Sequence, residues 1–199
     1  EDSPTNNFAT LNPLWANDYP SSFPVLTSDA NLSETSANAA PVPGTIAIDA
    51  ASYCEMIISS TPYYVGLWDI NVADDSTYLG ASGYADRAMG IYTDGSIYVN
   101  GGVVGTGLAF NANDVVGLAY DPTSREVFQW VNGVAANSGN AIYTLPADVE
   151  KWAFVSNGAT GIKQSINFGQ QPFAYTPPAG FEPLSTANMP AAPIANGRD

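Results

Sequence analysis

The sequence predicts an all-β domain built as an antiparallel β-sandwich, and two observations support this prediction. The 199 residues are 45% hydrophobic, which suffices for one sizeable core, but 18 glycines and 15 prolines break the apolar runs into short pieces. Several of these pieces alternate apolar and polar residues and end at turn-forming residues. Many short strands separated by such turns are typical of a sandwich. We therefore predict one β domain with extended ends.

The chain begins with a segment in which aromatic residues alternate with prolines. Residues 1–24 are too aromatic for a solvated linker and too interrupted by proline for regular structure, so we predict an extended N-terminal arm. The sandwich follows at residues 25–184, and residues 185–199, rich in Ala, Pro and Asn, form a C-terminal arm or linker. The apolar side chains of the N-terminal arm either cover an open end of the same sheet or pack between subunits in an assembly. These side chains are Phe8, Leu11, Leu14, Trp15, Tyr19 and Phe23.

The first half of the sandwich contains three core strands and one hairpin. Each core strand is bounded by Gly, Pro or Asp, and the three are predicted at residues 45–48, 53–59 and 63–70. A hairpin follows at residues 88–100, because Asp94-Gly95 offers the positive φ that a tight turn needs. Residues 100–113 are broken by glycines and are predicted as a loop.

The second half is organised around a hairpin at residues 115–131. Its two apolar runs are separated by a turn that starts at Asp121, and the second run ends at Asn132-Gly133. Residues 152–155 and 162–168 supply the remaining strands. The tail at residues 173–181 is predicted to lie back across the sheet.

The order of these pieces carries a family resemblance. In the second half it rests on Phe128, Trp130, Asn132-Gly133, Trp152–Val155, Asn167-Phe168-Gly169 and Pro172-Phe173. In the first half it rests on the aromatic-x-Glu strand at Tyr53-Cys54-Glu55 and on the strand Tyr64–Trp68. Together these motifs resemble a SPRY (B30.2-like) domain over about residues 25–184. The resemblance implies the SPRY-like variety of the concanavalin-type jelly roll, an antiparallel β-sandwich with extended N- and C-terminal arms.

The flanking sequences narrow the resemblance. Residues 2–13 and 184–190 resemble the borders of SPRY-like modules in structural proteins of tailed bacteriophages. This likeness implies a virion protein at the particle surface, in a tail fibre, head fibre or decoration protein. Its expected partners are other virion subunits, with assembly into a homo-oligomer.

Charge and composition exclude several classes of partner. The formal net charge is −14 with only five Lys and Arg residues, so the chain would repel the phosphates of nucleic acid. The same charge weakens attachment to anionic bilayers and bare acidic polysaccharides unless divalent cations bridge the surfaces. No run of about 18 apolar residues exists, which excludes membrane insertion. The single cysteine, Cys54, lies in a predicted strand and is expected to be an inert core thiol.

Common catalytic arrangements are missing from the sequence. It contains no histidine, its one cysteine is in a strand, and there is no Gly-x-Ser-x-Gly pattern. The 19 acidic residues offer many carboxylate pairs, but none has the Glu-x-Asp-x-Glu spacing of the glucanases that share this architecture. We therefore predict a non-enzymatic protein.

The long interruption at residues 71–87 is the predicted ligand-binding loop. Tyrosines among small polar residues make good contact surfaces, because each ring offers a rigid face and a hydroxyl group. The alternative is a solvated loop whose tyrosines are tucked onto the sandwich. The candidate ligand-binding residues are Asp74, Asp75, Tyr78, Tyr84, Asp86 and Arg87.

No cofactor is predicted, with Ca²⁺ as the alternative. Asp74, Asp75 and Asp86 with Asn71 could supply oxygen ligands. The Asp-x-Asp-x-Asp-Gly loop pattern is missing, and adjacent aspartates in a loop are usually solvated.

Two functions from different classes follow. In the first, the domain is a recognition module that binds a host-surface ligand, a glycan or a protein, through loops at one end of the sandwich. These loops are residues 71–87, 100–113, 133–141 and 156–161. In the second, the protein is purely architectural, and its terminal arms clamp neighbouring subunits.

Overall fold

The computed structural model describes residues 6–12, 25–36, 41–59, 63–72, 78–157 and 163–190, and the regular secondary structure in these ranges is almost entirely β-strand. A short 3₁₀ turn occupies Ala136–Gly139. No helix in these ranges is long and apolar enough to cross a membrane. The strands in chain order are β1 (Val25–Ser28), β2 (Ser33–Ser36), β3 (Pro41–Pro43), β4 (Ser52–Ile58), β5 (Tyr64–Asp69), β6 (Ala88–Tyr92), β7 (Ser96–Val99), β8 (Gly102–Thr106), β9 (Val115–Asp121), β10 (Glu126–Val131), β11 (Val134–Ala135), β12 (Tyr143–Thr144), β13 (Trp152–Asn157), β14 (Lys163–Asn167) and β15 (Glu182–Pro183).

The strands form two sheets, which confirms the predicted β-sandwich. The larger sheet has nine strands in the order β1-β2-β14-β4-β9-β10-β11, with β12 paired to β10 and β15 paired to β4. The smaller has six strands in the order β3-β13-β5-β6-β7-β8. All pairs are antiparallel except β15 with β4. Both predicted hairpins are confirmed, as β6 with β7 and as β9 with β10.

The core lies between the sheets and follows the alternation of the strands. In β4, Cys54, Met56 and Ile58 face the core and are at most 1% exposed, while the intervening residues face outward. Val65 and Leu67 of β5 oppose them from the smaller sheet, and both are fully buried. Because one face of each sheet is buried, a slip of one residue in any of these strands would expose its apolar set.

Three local predictions differ from the structure. Residues 45–48 are not a strand. The N–H of Gly44 bonds the Phe154 carbonyl and the N–H of Ile48 bonds the Trp152 carbonyl, so four residues of this segment lie opposite two residues of β13 and regular strand pairing is interrupted. Conversely, β8 is a strand where a loop was predicted. It follows Asn100 and Gly101, whose φ values of 50° and 77° form a primed turn.

The third difference is the polar hairpin of β1 and β2, which extends the larger sheet through β14. Backbone hydrogen bonds to β14 hold this hairpin in the sheet, so its strands do not need the regular apolar alternation of a core strand. β8 is also an edge strand, but its Val103 and Val104 are 58% and 47% exposed, so it has no buried face that alternation could reveal.

The described parts of both predicted arms belong to the sandwich. Leu11 is fully buried in the core, and its neighbours at residues 6–12 pair with residues 184–186 and 43–45. This corrects the assignment of Leu11 to an assembly arm, because a side chain without exposed surface cannot clamp another subunit. Phe8 is partly buried and bridges to Ser185. The other arm residues, Leu14, Trp15, Tyr19 and Phe23, lie outside the described residues.

Cys54 is a core thiol, as its place in a strand indicated. Its side chain is fully buried between the sheets, and burial raises the pKa of the thiol well above its usual value. We expect no reaction of the native protein with a thiol-specific reagent such as dithiobis-nitrobenzoate, and full reaction after denaturation in guanidinium chloride. Rapid labelling of the native protein would show that β4 opens readily.

Candidate functional site

The described part of the predicted binding loop lies on a sheet face rather than at an end of the sandwich. Residues 78–87 lie across the outer face of the six-stranded sheet, where the N–H of Leu79 donates to Asn157 Oδ1 at 3.0 Å. Gly66 and Gly90 pair directly beneath Leu79. A Cβ on Gly90 would lie 2.5 Å from the Leu79 carbonyl oxygen, so only glycine lets the loop approach this closely.

Under this loop lies a second, smaller apolar cluster, which the sequence did not predict. It consists of Trp68, Leu79, Ala81, Tyr84, Ala88 and Val155. The rings of Trp68 and Tyr84 meet edge to face with centroids 4.7 Å apart, and Tyr84 is only 4% exposed. This corrects the prediction that Tyr84 contacts a ligand: its ring is tucked onto the sandwich, as the alternative interpretation held.

Arg87 forms an ion pair with the buried carboxylate of Asp69. Its Nη1 lies 2.6 Å from Asp69 Oδ2, and the Asp69 side chain is fully buried. The other oxygen of Asp69 accepts hydrogen bonds from the backbone N–H and the Nδ2 of Asn71, at 2.9 and 3.1 Å. A buried carboxylate needs such partners, so Arg87 serves first to neutralise Asp69 and to hold the end of the loop. The role of Asp69 was missed, because nothing in its spacing marks it as buried.

The remaining predicted residues separate into two groups. Asp86 is exposed, whereas Asp74 and Asp75 lie outside the described residues. In the part of the chain that the structure describes, no three acidic or cysteine side chains are grouped closely enough to hold a metal ion. The structure therefore adds no geometry to the Ca²⁺ alternative.

Tyr78 is part of a cluster of four aromatic rings, which we call the tyrosine patch: Tyr64, Tyr78, Tyr92 and Tyr98. Tyr78 stacks on Tyr64 with ring centroids 5.2 Å apart and an interplanar angle of 18°. Tyr64 also contacts Tyr92 at 4.9 Å and Tyr98 at 5.8 Å. Tyr78 is 38% exposed and the other three are partly buried, so the patch presents ring faces and edges to solvent.

The patch arises from strand alternation in three neighbouring strands. In β5, β6 and β7 the residues beside Tyr64, Tyr92 and Tyr98 face the core, so these rings face outward. Tyr64 and Tyr92 are direct cross-strand partners. The sequence contains each tyrosine, but which of them lie close together depends on the order of strands in the sheet.

The hydroxyl of Tyr64, at the centre of the patch, can donate a hydrogen bond. Burial raises the pKa of Tyr64, and its neighbours Tyr98, Tyr78 and Tyr92 raise it further. The hydroxyl therefore stays protonated at neutral pH. An array of aromatic faces with fixed hydroxyl groups can stack on the apolar face of a ligand and bond its polar edge.

The predicted loop at residues 100–113 is divided between the two ends of β8. The turn at residues 100–101 contacts Gly80 and lies at one end of β8, whereas residues 107–113 follow from the other end of that strand. Tyr98 instead lies beside Val103 across the β7–β8 pair. The exposed aromatic surface is thus on a sheet face, next to one of the four loops.

Glu55, which the resemblance singled out, has a structural role on the larger sheet. Its carboxylate accepts hydrogen bonds from the backbone N–H groups of Ala174 and Tyr175, at 2.7 and 2.9 Å, and from the hydroxyl of Tyr53 at 3.2 Å. Glu55 is 3% exposed. It thereby fastens the tail at residues 173–181 across the outer face of the sheet, where that tail was predicted to lie.

Comparison with known proteins supports the fold. No protein-family model matches the chain, and no curated protein matches it in sequence. In three dimensions the chain is similar to the crystal structure of the SPRY domain of human HERC1, with a TM-score of 0.63 and 14% sequence identity. The similarity covers 81% of this chain and 99% of that chain. The protein therefore has a SPRY-like fold.

Proposed function

We propose that this SPRY-like sandwich is a non-enzymatic recognition module of a bacteriophage particle, and that it binds a host-surface glycan through the tyrosine patch. The observation that carries the proposal is the exposed stack of Tyr78 on Tyr64, flanked by Tyr92 and Tyr98. Aromatic faces take up the apolar faces of sugar rings, and hydroxyl groups bond sugar hydroxyls. The proposed site thus moves from the sandwich-end loops to the outer face of the six-stranded sheet.

The charge of the protein narrows the class of glycan. With a formal net charge of −14, the domain repels acidic polysaccharides at low ionic strength. A neutral glycan, or one that carries amino groups, meets no such barrier. Ca²⁺ could bridge the domain to an acidic glycan, so Asp86 with Asp74 and Asp75 remains the candidate for such a contact.

The virion context rests on the flanking sequences at residues 2–13 and 184–190, which resemble the borders of such modules in phage structural proteins. A tail fibre, a head fibre or a decoration protein would each display the domain on the particle surface, with other virion subunits as partners. The tyrosine patch would then face the host.

The buried residues near the N-terminus limit which segments could clamp a neighbouring subunit in the architectural alternative. Residues 6–12 are part of the domain's own sandwich, with Leu11 fully buried, so an arm that clamps a neighbour would have to come from other segments. In this alternative the tyrosine patch would contact another virion subunit, and the isolated domain would bind no glycan.

The test of the proposed function is the binding of the labelled domain to an array of bacterial surface glycans, with and without Ca²⁺. We expect saturable binding, and a loss of about tenfold in affinity for Tyr78→Ala, which equals about 1.4 kcal/mol. Tyr78→Phe keeps the stacked ring and should retain most of the affinity.

Tyr175→Ala is the matched control for this experiment. Tyr175 is 37% exposed, close to the 38% of Tyr78, but it lies on the larger sheet, so its removal should leave binding unchanged. If the folded domain bound no glycan, the architectural function would be favoured. Equal losses in Tyr78→Ala and Tyr175→Ala would exclude the tyrosine patch as the site.

A further inference from the structure

A groove of about 340 Å³ lies on the outer face of the nine-stranded sheet. It is bordered by β4, by β14, by the turn between β1 and β2, and by residues 170–174, which Glu55 holds in place. It is on the opposite side of the sandwich from the tyrosine patch. Its volume is at the small end of the range for ligand sites, which is about 300–1,000 Å³.

The floor of the groove combines an apolar side chain with a hydroxyl pair. Ile57 of β4 faces outward and is 44% exposed, whereas Met56 and Ile58 on either side of it are buried in the core. Beside it, Ser165 Oγ of β14 lies 2.7 Å from Ser33 Oγ of β2. Ile57 thus adds an apolar surface to a concavity that also presents hydroxyl and carboxamide groups, a combination that ligand sites use.

The wall of the groove is a turn with carboxamide side chains held in place. Asn167 Oδ1 accepts from the N–H of Gly169 at 2.9 Å, and its Nδ2 donates to the carbonyl of Gln171 at 3.1 Å. Gln170 Oε1 accepts from the N–H of Phe168 at 2.9 Å. Gln170 Nε2, in contrast, is shielded from solvent and has no acceptor among the described residues. If the side chain turned so that Nε2 met a ligand oxygen in the groove, that atom would gain the hydrogen bond that it lacks, and the bond between Oε1 and the N–H of Phe168 would be given up.

The charges around the groove are already matched. At its rim Asp29 Oδ2 lies 2.7 Å from Lys163 Nζ. Deeper in, both carboxylate oxygens of Glu55 accept backbone N–H groups. The groups left to face a ligand are therefore the Ser33–Ser165 hydroxyl pair, the exposed carboxamide of Gln171 and the side chain of Ile57, which together favour an uncharged ligand with many hydroxyl groups.

We propose that this groove is a second binding site, which takes one sugar residue of a neutral glycan. Carboxamides both donate and accept, which matches sugar hydroxyls, and Ile57 provides contact for the apolar face of the ring. The small volume suits one ring better than an extended peptide, which would need a longer groove. The site shares no residue with the tyrosine patch, so an experiment can support or refute it whatever the result for the proposed function.

The experiment is a titration of the ¹⁵N-labelled protein with N-acetylglucosamine and with methyl glucoside at millimolar concentrations, followed by NMR. We expect saturable shifts of the Gln170 side-chain amide and of the backbone amides of Ile57 and Ser165. The variant Gln170→Glu removes the Gln170 side-chain signal and so assigns it. No saturable shift at these positions with either sugar would overturn the proposal.

Two variants with new bulky side chains complete the test. Ile57→Trp fills the floor and should weaken binding at least tenfold, whereas Val104→Trp, at a valine that is 47% exposed on the other sheet, should leave it unchanged. The two variants must give equally dispersed spectra, and Tyr78→Ala must retain the groove shifts. Equal binding by Ile57→Trp and the native protein, or groove shifts with a neutral tetrapeptide but not with sugars, would refute the site or its ligand class.

Discussion

Replacing Trp68 by alanine is expected to lower the free energy of unfolding by about 3–5 kcal/mol. The indole is fully buried, and it packs on Tyr84 on the outer side of the six-stranded sheet. Its Nε1 donates to the Val72 carbonyl at 3.1 Å, so the substitution also removes the partner of that carbonyl. The loss is a large fraction of the stability of a typical domain, which is about 5–15 kcal/mol. Equilibrium denaturation in urea measures it.

Tyr78→Ala is the control for Trp68→Ala, because Tyr78 belongs to the loop that covers Trp68 but lies outside the apolar cluster. Its ring is 38% exposed, so its removal should cost only about 1 kcal/mol, chiefly for the lost stacking on Tyr64. If Trp68→Ala changed the unfolding free energy as little as Tyr78→Ala, the cluster beneath residues 78–87 would contribute no more stability than the surface does.

Replacing Glu55 by alanine is expected to cost about 2–4 kcal/mol. The carboxylate is 3% exposed and accepts two backbone N–H groups and one tyrosine hydroxyl. Its removal leaves the N–H groups of Ala174 and Tyr175 without an acceptor against the sheet. The tail at residues 173–181 should then detach, which hydrogen exchange would report as faster exchange at these two amides.

Two control variants isolate the clamp made by Glu55. Glu55→Gln keeps one acceptor oxygen, so it should cost about half as much as Glu55→Ala. Glu150→Ala removes an exposed carboxylate and should change the stability by no more than about 0.5 kcal/mol. Unchanged exchange at Ala174 and Tyr175 in Glu55→Ala would show that the tail is held by its ring contacts instead, such as that of Phe173 with Tyr53.

The sequence by itself determined the fold class and most of the core strands. Alternation in β4 and β5 identifies their buried faces, because a residue that faces a core must be apolar wherever its strand lies. The turns at Asp94-Gly95 and Asn132-Gly133 are equally local, since positive φ is a property of the turn itself. The order of such pieces then indicated the SPRY-like fold.

The tertiary structure alone decided where the candidate site lies. Alternation shows that Tyr64, Tyr92 and Tyr98 each face away from the core, but it does not show that β5, β6 and β7 are neighbours. It shows still less that residues 78–87 fold over that face, burying Tyr84 and leaving Tyr78 on the stack. Contacts between residues far apart in sequence depend on strand order and loop path, which no short window of residues encodes. The fold class follows from local patterns, whereas the site is a product of non-local packing.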